Sequence, residues 1–179
     1  MTLDATANPS HAGHAANPAL TAALAIAIIA AVTLAGAWFF QLVLDIRPCP
    51  LCLEQRYAYY LALPLALVVA FAASRGAPRQ VVLAAFAVLL LAALANAWLG
   101  GFHAGVEWKF WEGPTDCSGP VVDLGSAGTL LQRLDSVKVI RCDEVQWRFL
   151  GLSLAGYNVL ISLLMAVMAV WGIVAAKRA

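Results

Sequence analysis

The stretch LTAALAIAIIAAVTLAGAWFFQLVL at residues 20–44, running straight into DIRPCPLC at residues 45–52, decides the fold. An apolar run of this length matches the hydrocarbon core of a bilayer, which takes about 20 helical residues to cross. Lipid offers the backbone no water to bond, so such a run must be helical. The polar turn that ends it carries Cys49 and Cys52. Three further apolar blocks follow, at about residues 57–73, 81–99 and 149–176. With 63% hydrophobic and 12% charged residues over 179 positions, the chain has too little polar cover for a soluble domain. Its mean hydropathy of +0.82 agrees. The expected fold is an all-α membrane protein, a bundle of four transmembrane helices.

The expected organisation is a flexible N-terminal tail at residues 1–17 and one membrane domain at 18–179, with cysteine-bearing loops at about 45–56 and 100–148. The tail has no Lys or Arg, and the apolar run after it exceeds a signal-peptide core, so the first helix is expected to stay uncleaved. His11 and His14 in that tail are read as solvated rather than metal-binding. Pro64 is expected to kink the second helix. Asn96 and Asn158 are expected to bridge helices, and Gly151, Ser153, Ala155 and Gly156 to allow close helix contact. A net charge of +1 without a basic cluster points to no nucleic-acid partner. The absence of a buried chain of acids and of an inverted repeat disfavours an ion pump or transporter.

All four cysteines fall on one side of the membrane, because a helical hairpin separates Cys49 and Cys52 from Cys117 and Cys142. Which side is less clear from charge. Arg75, Arg79, Lys177 and Arg178 lie on one face, and Arg47, Arg56, Lys109, Arg133, Lys138, Arg141 and Arg148 on the other. The raw count would turn the cysteines to the cytoplasm. The first face carries no acids, however, and its charges hug the helix ends. Disulfide-making thiols also belong in an oxidising compartment, so the cysteine face is placed outside.

The order Pro48-Cys49-Pro50-Leu51-Cys52 resembles the entrance to a helix, since proline is favoured in the first helical turn. Cys52 then falls where unpaired N–H groups and the helix dipole favour an anion, and the thiolate is the reactive species. Arg56, four residues on, shares that face and leans back towards Cys52. A zinc site would need a matching second C-x-x-C, and haem attachment would need a histidine where Leu53 stands. The motif favours redox chemistry over metal binding.

The second pair sits in a polar segment rich in Gly and Pro. Pro114 and Ser118-Gly119-Pro120 frame Cys117, which is therefore expected in an exposed, non-helical loop. Leu130, Leu131, Leu134 and Val137 have helical spacing, which predicts a short amphipathic helix on the membrane surface or packed on the bundle as a lid. Trp98, Trp108, Trp111 and Trp147 fall near helix ends and are read as an interfacial belt, with walling a flat cofactor beside the thiols as the lesser alternative. His103 lies just past the expected third helix, level with Cys52, where a cofactor-facing role and a plain interfacial one are equally open.

After the N-terminal tail nearly the whole chain resembles the bacterial disulfide bond formation protein B family, DsbB. The resemblance is carried by CPLCLEQR from Cys49 to Arg56, GFHAGVE from Gly101 to Glu107, GPTDC from Gly113 to Cys117 and CDEVQWRFLGL from Cys142 to Leu152. It implies a thiol:quinone oxidoreductase of the bacterial inner membrane with its cysteine loops in the periplasm, part of the relay that keeps that compartment oxidising. It implies an outer Cys117–Cys142 disulfide, with Cys117 attacked by a reduced, DsbA-like thioredoxin-fold protein. Cys142 would pass electrons on through a bond with Cys49, and Cys52 would face a quinone, ubiquinone or menaquinone, drawn from the lipid. Arg56 matches the family arginine that favours the Cys52 thiolate and the quinone, and His103 falls where the family has a quinone-side histidine. Gln55 departs from members that carry an acid there. Two rivals stand beside this reading. In vitamin K epoxide reductase-like proteins the loop cysteines precede the C-x-x-C, whereas here they follow it. In a membrane scaffold, the four cysteines would form structural disulfides that resist exchange.

Overall fold

The computed structural model describes residues 17–118 and 141–178. The N-terminal tail and the expected amphipathic helix around Leu130 to Val137 lie outside the described residues. Four long helices account for most of the rest: α1 (Pro18–Leu42), α2 (Pro50–Ser74), α3 (Arg79–Glu107) and α4 (Leu154–Arg178). All four are long and apolar enough to cross a membrane, and the chain is a multi-pass membrane protein. Asn17 starts α1 by accepting from the N–H groups of Ala19 and Leu20 at 3.1 and 3.3 Å. Gly76, at φ 67°, makes the tight turn between α2 and α3 that a side chain would strain.

The helices pack in a ring, α1 against α2, α2 against α3, α3 against α4 and α4 back against α1. The seams are built from small residues. Ala22, Ala23 and Ala30 of α1, Ala66 of α2 and Ala169 of α4 are fully or almost fully buried, which lets backbones approach. Large apolar side chains such as Ile28, Val68, Phe71 and Leu91 point outward, where lipid solvates them. Across the ring's diagonal, Tyr59 donates to Asn158 Oδ1 at 2.6 Å. Asn96 donates to the same oxygen at 3.2 Å and to Ser162 at 3.0 Å. Each such bond in lipid is worth only about 0.6 kcal/mol, so the cluster serves to fix how α2, α3 and α4 are rotated.

Two helix limits differ from those expected. α2 begins at Pro50, ahead of its apolar block, as the proline spacing predicts. α3 continues to Glu107 rather than ending near 99, so Gly100 to Glu107 are helical and His103 lies inside the helix. α4 begins at Leu154 rather than 149, since a two-stranded hairpin, β1 (Arg148–Phe149) and β2 (Leu152–Ser153), precedes it. Its turn holds Leu150 and Gly151 at φ 48° and 83°, the sign that two-residue hairpins favour. α2 runs on through Pro64 as one helix.

Gly172 of α4 is where that helix meets Phe86 of α3: a Cβ there would run into the phenyl ring. Gly172→Ala should lower resistance to thermal unfolding in detergent by about 1–3 kcal/mol. The penalty should shrink in a Phe86→Leu background, and an equal penalty in both backgrounds would refute the contact.

Candidate functional site

Cys49 occupies the N-cap position of α2 with extended backbone, and its Sγ accepts the N–H of Cys52 at 3.2 Å. A thiol thus fills the place that Ser or Asp usually takes at a helix start. The same turn sets the two sulfurs 2.7 Å apart, with Cys49 donating to Cys52. That hydrogen bond, and then burial, push the Cys49 thiol up from its ordinary pKa. Cys49 therefore keeps its proton while the half-buried Cys52 presents the free sulfur.

The extension of α3 delivers His103 to this point. Its Nε2 lies 3.6 Å from Cys49 Sγ, and its Nδ1 is 2.9 Å from Gln55 Nε2. An amide nitrogen only donates, so Nδ1 accepts and Nε2 carries the ring hydrogen, a tautomer assigned from these partners. One helical turn further on, Glu107 Oε1 is 3.9 Å from the same Nε2.

Beyond α3 the chain doubles back. Lys109 takes a left-handed conformation at φ 61°, and Trp111 donates its indole N–H to Phe102 O at 2.9 Å. The Trp111 ring lies where a Cβ on Gly105 would be, so the return depends on that glycine. It brings a 3₁₀ turn, Thr115–Ser118, onto α2, and Cys117 is joined there to Cys142 by a disulfide with Cα atoms 5.1 Å apart. Cys49, Leu51, Val106, Cys117 and Cys142 form one buried cluster. The exposed, non-helical loop expected for Cys117 is thus corrected: the residue sits in a 3₁₀ turn and is only 7% exposed, because the Trp111 return folds the segment inward. After Cys142, an exposed bidentate pair from Arg141 to Asp143, at 2.9 and 2.7 Å, holds the Asp143 carboxyl below the usual carboxylate range.

A cavity of about 420 Å³ opens beside the cysteine pair, walled by α1, α2, the end of α3 and the start of α4. Its lining is mostly apolar, with polar groups from Gln55, Arg56, Tyr59, His103, Glu107 and Asn158. The guanidinium of Arg56 does not bond to Cys52, as leaning back would have it. It donates to Gln41 Oε1 at 2.6 Å and Ala37 O at 3.3 Å and lies over the Trp38 ring at 5.5 Å, all on α1. The Gln41 side-chain oxygen and the Ala37 carbonyl of α1 draw it across, so Arg56 forms part of the cavity wall. Trp147 is likewise a wall residue, packed between Phe40 and Phe149 at 5.0 and 5.9 Å, rather than a belt residue. Trp98, Trp108 and Trp111 are exposed as a belt requires.

Cys49, Cys52 and His103 place three metal-ligating atoms within 4.8 Å of one another. Two thiolates on one tetrahedral zinc, with bonds of 2.3 Å, stand about 3.8 Å apart. The 2.7 Å between these sulfurs suits the making and breaking of an S–S bond instead.

A four-helix membrane protein that packs a disulfide against a dithiol, beside a lipid-level cavity, belongs to the class that makes disulfides. The chain is a member of the family described as disulfide bond formation protein DsbB, whose sequence model matches residues 19–172. Disulfide bond formation protein B of Aromatoleum aromaticum is 34% identical over 78% of this chain and 82% of its own. The protein of the same name from Azoarcus sp. is 30% identical over 83% and 88%, and that of Marinobacter nauticus 30% over 79% and 83%.

Of the residues singled out from sequence, Cys49, Cys52 and His103 converge, the Cys117–Cys142 disulfide joins them, and Arg56 stands on the cavity wall. Gln55 and Glu107 were missed as site residues. Their signal was spacing: Gln55 is three residues from Cys52, and Glu107 four from His103, hence on one helix face.

Replacing the Gln55 amide by a carboxylate, which only accepts, should reverse the ring. In Gln55→Glu the imidazole ¹⁵N shifts of His103 should report Nδ1–H, against Nε2–H in the parent chain. Unchanged shifts would show that Gln55 does not set the tautomer.

Proposed function

We propose that this chain reoxidises a periplasmic, DsbA-like dithiol protein and passes the electrons to a membrane quinone. The observation that carries this reading is the place of Cys49, packed against the Cys117–Cys142 disulfide on one side and bonded to cavity-facing Cys52 on the other. A partner thiolate attacks Cys117 and frees Cys142. Cys142 attacks Cys49 of the oxidised inner pair and frees Cys52, each step a thiolate striking a disulfide sulfur. The electrons leave through Cys52.

The cavity fits the acceptor's class. Pockets of about 300–1,000 Å³ with apolar walls and a few polar groups hold small ligands. Val32, Phe40 and Ile161 offer surface for an isoprenoid chain, and Arg56, fixed by Gln41, offers a donor to a ring oxygen. A quinone, ubiquinone or menaquinone, supplies a two-electron, two-proton acceptor when bound. It arrives from the lipid beside the helices. The oxidising chemistry places the cysteine end of the bundle in the periplasm, with the protein in the inner membrane.

The test is quinone absorbance in detergent with a reduced thioredoxin-fold dithiol protein. Quinone loss in step with partner oxidation, abolished by Cys52→Ser, is expected. No quinone loss, with all four cysteines inert to the partner, would favour a scaffold with structural disulfides. In Cys142→Ser the resolving thiol is gone, so a Cys117–partner complex should accumulate on non-reducing gels. A folded variant without that complex would overturn the order of the relay.

A further inference from the structure

Glu107 carries the one buried side-chain atom among the described residues that lacks a hydrogen-bond partner, its Oε2. The residue is 9% exposed and lines the cavity together with Cys49, Cys52 and His103. An orphaned buried carboxyl oxygen is costly and calls for a reason. What satisfies it is a donor on a bound molecule or a proton of its own. The other oxygen, Oε1, stands 3.9 Å from His103 Nε2, beyond hydrogen-bond length, and the same Nε2 lies 3.6 Å from Cys49 Sγ. With Gln55 donating to Nδ1, His103 keeps its hydrogen on Nε2, on the side where Cys49 and Glu107 stand. The charged and titratable groups facing Glu107 are His103 on its own helix, Cys49 and Cys52 of α2, and Arg148 of β1, with the Ser153 hydroxyl of β2 beside it.

We propose that Glu107 is the proton-transfer group of the Cys49–Cys52 site, taking the thiol proton of Cys49 when the pair closes and giving it to the electron acceptor. The proposal rests on the quinone reading above. The balance is simple. Closing the pair breaks two S–H bonds and forms one S–S bond, releasing two electrons and two protons, and a quinone takes both pairs to become a quinol. Glu107 receives one proton as a carboxylate and returns it as a carboxylic acid, so it ends each turn unchanged. Gln55 stands where some members of the family carry an acid, and its amide does not titrate; the acid of this site stands on α3.

Two readouts test this on the full chain in detergent. The first needs no quinone. In the infrared difference between dithiothreitol-reduced and oxidised protein, a protonated-carboxyl C=O band should change, should vanish in Glu107→Gln and should move in Glu107→Asp. The second is quinone consumption with a reduced dithiol partner. Glu107→Gln should lower turnover by about 10²-fold with the partner KM unchanged. It should also abolish the fall in rate as pH drops, since that limb reports protonation of the carboxylate that must accept the thiol proton, and Glu107→Asp should restore part of the rate. A carboxyl band that persists in Glu107→Gln, or turnover equal to the parent chain, would overturn the proposal. If the parent chain consumes no quinone, the thiol:quinone reading falls, and the infrared band alone decides the role of Glu107. If Glu107→Gln does not fold, judged by loss of the Cys117–Cys142 disulfide, the band shift in Glu107→Asp decides instead.

Discussion

The first turn of any helix leaves N–H groups without intrahelical partners, and in α2 the N–H of Cys52 is taken by the sulfur of Cys49 at 3.2 Å. The rest of the site depends on that bond. It fixes both sulfurs relative to a rigid rod, at the depth where the rod enters the membrane. Pro50 makes the start sharp, because its ring suits the first helical position and lacks an N–H that would otherwise need a partner. A helix that began a turn later would leave the pair in a loop, without a fixed sulfur-to-sulfur distance. The other three helices bring their groups to this point.

α3 does so by outrunning its apolar stretch. Gly100, Gly101 and Gly105 weaken a helix by propensity, yet the helix persists to Glu107. Packing explains two of them. A side chain on Gly100 would strike Asn158, and one on Gly105 would displace Trp111. Glycine there permits close approach, first of α4 and then of the returning chain that carries Cys117. The cost in helix propensity is offset by contacts that only glycine allows. Arg56 illustrates the same economy with charge: a guanidinium at membrane depth needs partners, and Gln41, the Ala37 carbonyl and the Trp38 ring supply them from one neighbouring helix.

Sequence alone gave the membrane class, the number of spans and the shared face of the two cysteine pairs, because each follows from composition and order. It also placed Cys52 in the first turn of a helix, since proline spacing is a local signal. What it missed was tertiary. Hydropathy ended α3 where the apolar residues ended, but a helix can continue in polar sequence when its face packs. Cys117 was expected in the open on the strength of flanking Gly and Pro, whereas the Trp111 return, invisible in local composition, folds it inward. Arg56 was placed by helix geometry on the face of Cys52, where it lines the same cavity, but its hydrogen-bond acceptors on α1 were not legible. Glu107 went unnoticed as a site residue because a lone acid near a helix end is ordinary until its burial is known.

Burial also bears on which thiols can enter the proposed relay. Exchange requires a thiolate to reach a disulfide sulfur, so access governs rate as much as potential does. Cys49 and Cys142 are each 1% exposed, and Cys117 is 7% exposed. Within the outer disulfide, Cys117 is the less buried residue, which agrees with the polarity of the proposed relay. Attack there frees Cys142 inside the cluster, already packed with Cys49, so the next exchange proceeds without either thiol meeting bulk solvent. A small reductant from solution finds the same barrier at both inner sulfurs.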